Sequence, residues 1–189
     1  MLSIGSARLM VSKAISNRAA RYAGVAAVIF LGLALICLAA GLRFNTTRSI
    51  PVGIYRLTNA PVGKGEYVIF CPPESALFDE ARKRGYIGAG FCPGGYGYMM
   101  KRVLGIKGDR VSSSDEGIAV NGKLLPASSP REVDGTGRAM PRYPYSGYTL
   151  KASELLLMSD VSATSFDGRY FGPVDLSQIR GVIKPLVTF

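Results

Sequence analysis

The chain has 189 residues, room for about one domain of ordinary size. It carries 23 Lys+Arg against 13 Asp+Glu, a net charge of +10, and no histidine. That absence excludes Ser-His-Asp and Cys-His catalysis and any histidine-ligated metal, while 48% hydrophobic residues and a mean hydropathy of +0.19 are high for a purely soluble protein.

Residues 23–42, AGVAAVIFLGLALICLAAGL, hold no charge and no proline. Roughly 20 apolar residues are what a helix needs to cross a bilayer. A cleaved signal peptide has an apolar core of only about 7–15 residues, so the expectation is an uncleaved transmembrane anchor, although LAAG would also serve as a weak cleavage site. Arg8, Lys13, Arg18 and Arg21 precede the run with no acid among them, whereas only Arg43 and Arg48 follow it closely. The positive-inside rule then places residues 1–22 in the cytoplasm and residues 43–189 across the membrane. The remaining basic residues are scattered, so no nucleic-acid partner is expected. Cys37 lies inside the run, and LALIC lacks the small residue that a lipid-attachment cysteine requires before it.

NTTRSIPVGIY, residues 45–55, follows at once and is centred on Ser49. YVIF at 67–70 is apolar, β-branched and aromatic, and reads as a strand. SALFDEARKRGY predicts a short helix near 75–85, with Ser75 as N-cap, acids early, bases late and Gly85 as the stop. GAGFCPGGYG is glycine-rich but lacks the strand–turn–helix context of a nucleotide loop, and reads as a flexible loop or pocket rim. YMMKRVLGI at 98–106 is a strand candidate that ends at Lys107-Gly108-Asp109. GIAVNGKLL at 117–125 contains Asn121-Gly122, the strongest short hairpin signal. ELLLMSD at 154–160 and IRGVIKPLVTF at 179–189 complete the strands. Residues 71–99 and 127–148, rich in Gly and Pro, read as long surface loops with little core of their own. The sum is a mainly β, antiparallel domain, either a compact folded sheet or a partial barrel. Cys71 and Cys92 fall on the oxidising side of the membrane, where either a disulfide or two buried free thiols is open.

For chemistry, Ser-x-x-Lys, Gly-x-Ser-x-Gly, Gly-Lys-[Ser/Thr] and Cys-x-x-Cys are all absent. Lys101 within YMMKRVL is unusual, because strand neighbours point to opposite faces and Lys101 and Arg102 cannot share one. One of them must face inward or toward a cleft. A lysine drawn into an apolar cleft loses basicity, since desolvation disfavours the ammonium. To act as a base near neutrality it must fall by about three units from about 10.4, a cost of roughly 4 kcal/mol. The plainer reading leaves Lys101 as a snorkelling edge residue and Arg102 as a surface charge.

Taken together, these segments resemble the type I signal peptidases, membrane proteases with a Ser/Lys dyad. RSIPVG resembles their nucleophile box, GEYVIF their next strand and KRVLGIKGD their lysine box; VNG at 120–122 recurs as the same tripeptide. LLLMSDVSATSFDGRYFGPV resembles their last box, and the likeness runs over residues 48–174. It implies a signal-peptidase-like antiparallel β fold, an N-terminal membrane helix and no cofactor or metal. Ser49 would be the nucleophile and Lys101 its general base, with Asp167 as a further catalytic-site acid. Thr47 would add a hydroxyl to the oxyanion hole, Ser165 would hydrogen-bond the lysine, and Arg169 would pair with Asp167. An ordinary turn salt bridge is the plainer reading of Arg169.

The chain departs from general preprotein peptidases in three places. It has only Ile50 between Ser49 and Pro51, where they carry one residue more, has Ser159 before Asp160 in place of Gly, and has Gly168 where they carry Ser. NTTRSIPVG, GYIGAGFCPGGYGYMMKRVL and LLMSDVSATSFDGRYFGP resemble instead the conjugal-transfer branch of that family, to which the Cys71–Cys92 insertion also belongs. That resemblance implies a bacterial inner-membrane enzyme with one span and a periplasmic catalytic domain. Its substrate would be a pilin precursor, whose ends the enzyme could join into a circle, with the bilayer and other conjugative transfer proteins as further partners. The alternatives are a general preprotein signal peptidase, a non-catalytic anchored subunit of a pilus or secretion assembly, and a self-cleaving repressor. The last needs a DNA-binding N-terminus where this chain has an apolar run.

Overall fold

The computed structural model describes the backbone of residues 4–189, and side chains from residue 18 onward except residue 19. Arg8 and Lys13, half of the expected topogenic charge, have side chains outside the described residues. The chain divides into two compact units, residues 1–42 and 43–189.

The first unit is one helix, α1 (Ile4–Ala39). Within it Ala20–Ala39 is long and apolar enough to cross a membrane by length and composition. Its Val28, Phe30, Leu35 and Ile36 are exposed around the helix. The helix stops three residues short of the expected end at 42. Gly41 takes a left-handed φ of 76° and its N–H reaches back to the Leu38 carbonyl, a glycine C-terminal stop.

The second unit is built from two antiparallel sheets. The larger contains β1 (Leu42–Asn45), β2 (Gly53–Thr58), β3 (Tyr67–Phe70), β4 (Met99–Gly105), β9 (Glu154–Met158), β10 (Val174–Asp175) and β11 (Ile179–Thr188). Their order is β1-β2-β11-β3-β4-β9-β10, so β1 and β10 stand at opposite ends. The smaller sheet, in the order β7-β6-β5-β8, contains β5 (Arg110–Ser113), β6 (Ile118–Val120), β7 (Lys123–Leu124) and β8 (Tyr148–Thr149). Of the two expected architectures, folded sheets are what forms.

Alternation along β9 joins the two layers. Leu155 and Leu157 enter the main core with Val68, Phe70, Val103 and Val182, while Leu156 and Met158 pack with Val111, Ile118 and Leu150 of the second layer. The β6–β7 turn has positive φ at Asn121 (52°) and Gly122 (78°), as a tight hairpin of matching twist requires. Helix α2 (Ala76–Lys83) starts at Ser75, whose hydroxyl accepts the Phe78 N–H, and Gly85 beyond it has φ 78°.

Two expectations are corrected. The segment after Cys71 is not a loop without a core: Phe78, Ala81, Ile87, Cys92 and Tyr96 are buried in the main cluster. A disulfide joins Cys71 to Cys92 across it, with Cα atoms 5.4 Å apart. The second correction is β2, absent from the sequence reading, whose Tyr55 is wholly buried beside exposed Arg56.

Candidate active site

Ser49 sits in the turn between β1 and β2, in a stretch without a strand ladder. The turn is pinned from both ends. Ile50 is 0% exposed and packs with Tyr55, Ile69 and Ile183. The Tyr55 hydroxyl donates to the Pro51 carbonyl at 2.6 Å. Asn45, buried at the end of β1, contacts Thr47, Ile50 and Pro51 through its side-chain amide. Thr47 donates its own hydroxyl to Asn45 Oδ1 at 2.9 Å.

Lys101 belongs to β4, opposite Val68 of β3. Buried and half-exposed residues alternate along this strand, and the buried set is Met99, Lys101, Val103 and Gly105. Lys101 is thus the inward residue of the pair with Arg102, and only 2% of it is exposed. Arg102 lies on the other face, where it pairs with Asp160 and covers the Tyr67 ring. Burial drives the Lys101 ammonium down to about 8; the Asp167 carboxylate opposes the shift and the Arg169 guanidinium adds to it. The plainer reading of Lys101 as an edge residue does not hold.

The third element is the segment after β9. Ser165 donates to Ser49 Oγ at 3.4 Å. The expected partner was Lys101; the hydroxyl contact formed is with the serine instead. Asp167 and Arg169 are both wholly buried, and their pair is bidentate at 2.8 Å through Arg169 Nε and Nη2. Arg169, in the one-turn helix α3 (Gly168–Phe171), also donates to the carbonyls of Ser129, Ser162 and Ala163. The Asp167 carboxylate accepts the Ser159 N–H at 3.1 Å. An ordinary surface salt bridge is therefore the wrong description of Arg169. It is the post around which residues 159–167 are wound. Asp167, grouped with the catalytic residues from sequence, is committed to Arg169 and Ser159, and acts on Lys101 through its charge.

Ser49, Thr47 and Lys101 line one cleft of about 230 Å³. Its other walls were not legible in the sequence: Phe44 and Asn45 from β1, Tyr86, Ile87 and Gly88 after α2, and Tyr98 with Met99 and Met100. Tyr86 is fixed by its hydroxyl, which donates to Asp134 at 2.5 Å, and by Arg138 over its ring. The disulfide-closed segment thus supplies one wall. Among the described residues no group of three His, Cys, Asp or Glu stands close enough to hold a metal ion. A hydroxyl and a buried, weakened amine that line one open cleft are the groups needed to deprotonate an alcohol toward an acyl group.

The family model for signal peptidase, peptidase S26, matches residues 17–187. The chain belongs to this family of serine peptidases. Within it the chain is similar to the plasmid transfer protein TraF of Escherichia coli, 62% identical over 169 residues that cover 87% of this chain and 95% of that protein. It is 38% identical over 171 residues to the conjugal transfer protein TraF of Agrobacterium fabrum, covering 89% and 95%. A signal peptidase I from Enterococcus faecalis aligns in structure with a TM-score of 0.41 and 17% identity, covering 67% of this chain and all of that one.

Proposed function

We propose that the protein is a membrane-anchored endopeptidase with a Ser49/Lys101 dyad that processes the pilin precursor of a conjugative transfer system. The observation that carries the reading is Lys101, 2% exposed and held near 8, in the same cleft as Ser49. A scaffold has no use for an amine weakened in this way. The similarity to plasmid and conjugal transfer proteins supports the substrate class.

In this mechanism Ser49 Oγ attacks the scissile carbonyl carbon while neutral Lys101 Nζ takes the hydroxyl proton. The Ser165 hydroxyl donates to Ser49 Oγ, which leaves the serine's own proton free to pass to the amine. The oxyanion is held by the Ser49 backbone N–H and, once it turns from Asn45, by the Thr47 hydroxyl. Collapse breaks the C–N bond, and Lys101 returns the proton to the leaving amine. The acyl group on Ser49 then passes to water or to the substrate's own α-amine, the second route giving a circular product. Asp167 and Arg169 position the segment that carries Ser165. Helix α1 serves as the anchor, with the catalytic unit in the periplasm.

Incubating the full-length protein in membranes with the pilin precursor and weighing the product tests both parts. Wild type yields a shortened product, whose circular and linear forms differ by one water, while Ser49→Ala and Lys101→Ala yield none. Processing that survives Lys101→Ala would overturn the dyad.

A further inference from the structure

Residues 46–52 must turn sharply between β1 and β2, and Pro51 has no N–H to contribute to a ladder. Buried carbonyls in such a turn need donors from elsewhere. Asn45 supplies most of them, and the Tyr55 hydroxyl adds one to the Pro51 carbonyl. Asn45 Nδ2 stands 2.8 Å from the Thr47 carbonyl and 3.0 Å from each of the Ile50 and Pro51 carbonyls, its two hydrogens serving the three acceptors with one of them shared. Asn45 Oδ1 accepts the Thr47 N–H at 3.2 Å and the Thr47 hydroxyl at 2.9 Å. The amide orientation is fixed by chemistry, since carbonyls surround the nitrogen and an N–H and an O–H meet the oxygen. All five contacts fall on residues that bracket Ser49, and Asn45 is 5% exposed.

We infer that Asn45 is the positioning residue of the nucleophile turn, setting where Ser49 Oγ and the Thr47 hydroxyl stand relative to an incoming carbonyl. The inference rests on Ser49 being the nucleophile. A full-sized amide is required because the two halves do different work. The N–H groups tie the carbonyls of Ile50 and Pro51, which follow Ser49, back to the end of β1. The oxygen draws Thr47, which precedes Ser49, to the same point. Asn45 also lines the cleft, so its removal loosens the turn from the reacting side. It donates nothing to Lys101.

The test compares Asn45→Asp, which keeps the oxygen and loses the N–H donors, with Asn45→Ala, which loses both. Each is measured in the full-length membrane protein on the pilin precursor, with kcat, KM, the pH midpoint and the melting temperature read together. Displacing a nucleophile by about 1 Å costs roughly 10²-fold in rate, so kcat should fall by about that factor in both variants. KM should change little, and the pH midpoint of Asn45→Ala, which adds no charge, should stay near 8; the carboxylate that Asn45→Asp adds to the cleft raises the amine as Asp167 does. Unchanged kcat in Asn45→Asp overturns the inference. So does a loss in Asn45→Ala accompanied by a midpoint rising toward the ordinary lysine range, which would mark general loosening of the core. Failure of both variants to fold would assign the amide to the fold and equally overturn it. Ser49→Ala is run beside them: residual processing there sinks the nucleophile reading, whereas its inactivity beside an active Asn45→Asp sinks this inference alone.

Discussion

Asp167 and Arg169 carry opposite charges, both wholly buried, and they pull the Lys101 amine in opposite directions. Their removal therefore has distinguishable signatures. Asp167→Asn takes away the charge that raises the amine and leaves Arg169 unopposed, so the alkaline rise of activity should move to lower pH. Arg169→Gln leaves the carboxylate alone and should move the rise to higher pH. Each variant also breaks a buried pair and should lose about 3–5 kcal/mol of stability, read from denaturant melts; shifts of the same sign in both would refute the electrostatic role. Lys101 has its own linkage. Its folded value of about 8 lies below the ordinary 10.5, so between those limits the unfolded chain holds the extra proton and stability rises with pH. Lys101→Met should abolish that slope and, at pH 7, gain stability on the order of 3 kcal/mol while losing all activity. Thr47 is the remaining test at this scale. Its hydroxyl is donated to Asn45 in the absence of substrate, and must turn to meet an oxyanion. Thr47→Val should then lower turnover by about 10²-fold with little change in affinity, and Thr47→Ser should keep it. Equal turnover of the Val form would leave the backbone N–H as the working donor.

The disulfide-closed segment behaves as an element of the cleft, not as an appendage. Cys71 follows β3 directly, and between the cysteines lie α2 and the Tyr86–Gly88 wall. A bridge of this span restricts the unfolded chain by roughly 3 kcal/mol. Alkylating the denatured, unreduced protein should label neither Cys71 nor Cys92, and Cys71→Ser should melt several degrees lower; labelling of both would refute the bond. How much of this was legible differs from strand to strand, for physical reasons. Strands β3, β4, β9 and β11 and the Asn121-Gly122 hairpin announce themselves by apolar or alternating runs. Strand β2 does not, because GIYRLT buries only Gly53 and Tyr55, exposes Arg56 and leaves the rest at intermediate depth. The core role of Phe78, Ile87 and Tyr96 was hidden by the glycines and prolines around them. Ser49, Lys101 and Ser165 could be placed together through family resemblance, since their spacing in sequence says nothing of proximity. Asn45 was beyond reach, because its work is hydrogen bonding to nearby backbone and leaves no periodic trace.

At the scale of the whole chain, the proposed function assigns retention to the apolar stretch Ala20–Ala39 and chemistry to the unit of residues 43–189. The full-length protein should stay with membranes through alkaline carbonate extraction, and a chain beginning at residue 43 should be released. Protease added to the outer side of intact inner-membrane vesicles of native orientation should digest the catalytic unit; protection would reverse the proposed topology. The burial of Lys101 has a consequence for the life history of such a molecule. An extended chain in water has an ordinary, fully cationic lysine at position 101, and the amine loses its proton readily only after β3, β4 and β9 have closed around it. Under the proposed mechanism, the general base is manufactured by folding. A nascent or damaged copy is chemically mute, and so is a swollen intermediate that keeps its strands but admits water. Proteolytic power then switches on in the same cooperative step that completes the core, so no separate inhibitory segment is needed to keep an immature copy from cutting the proteins around it.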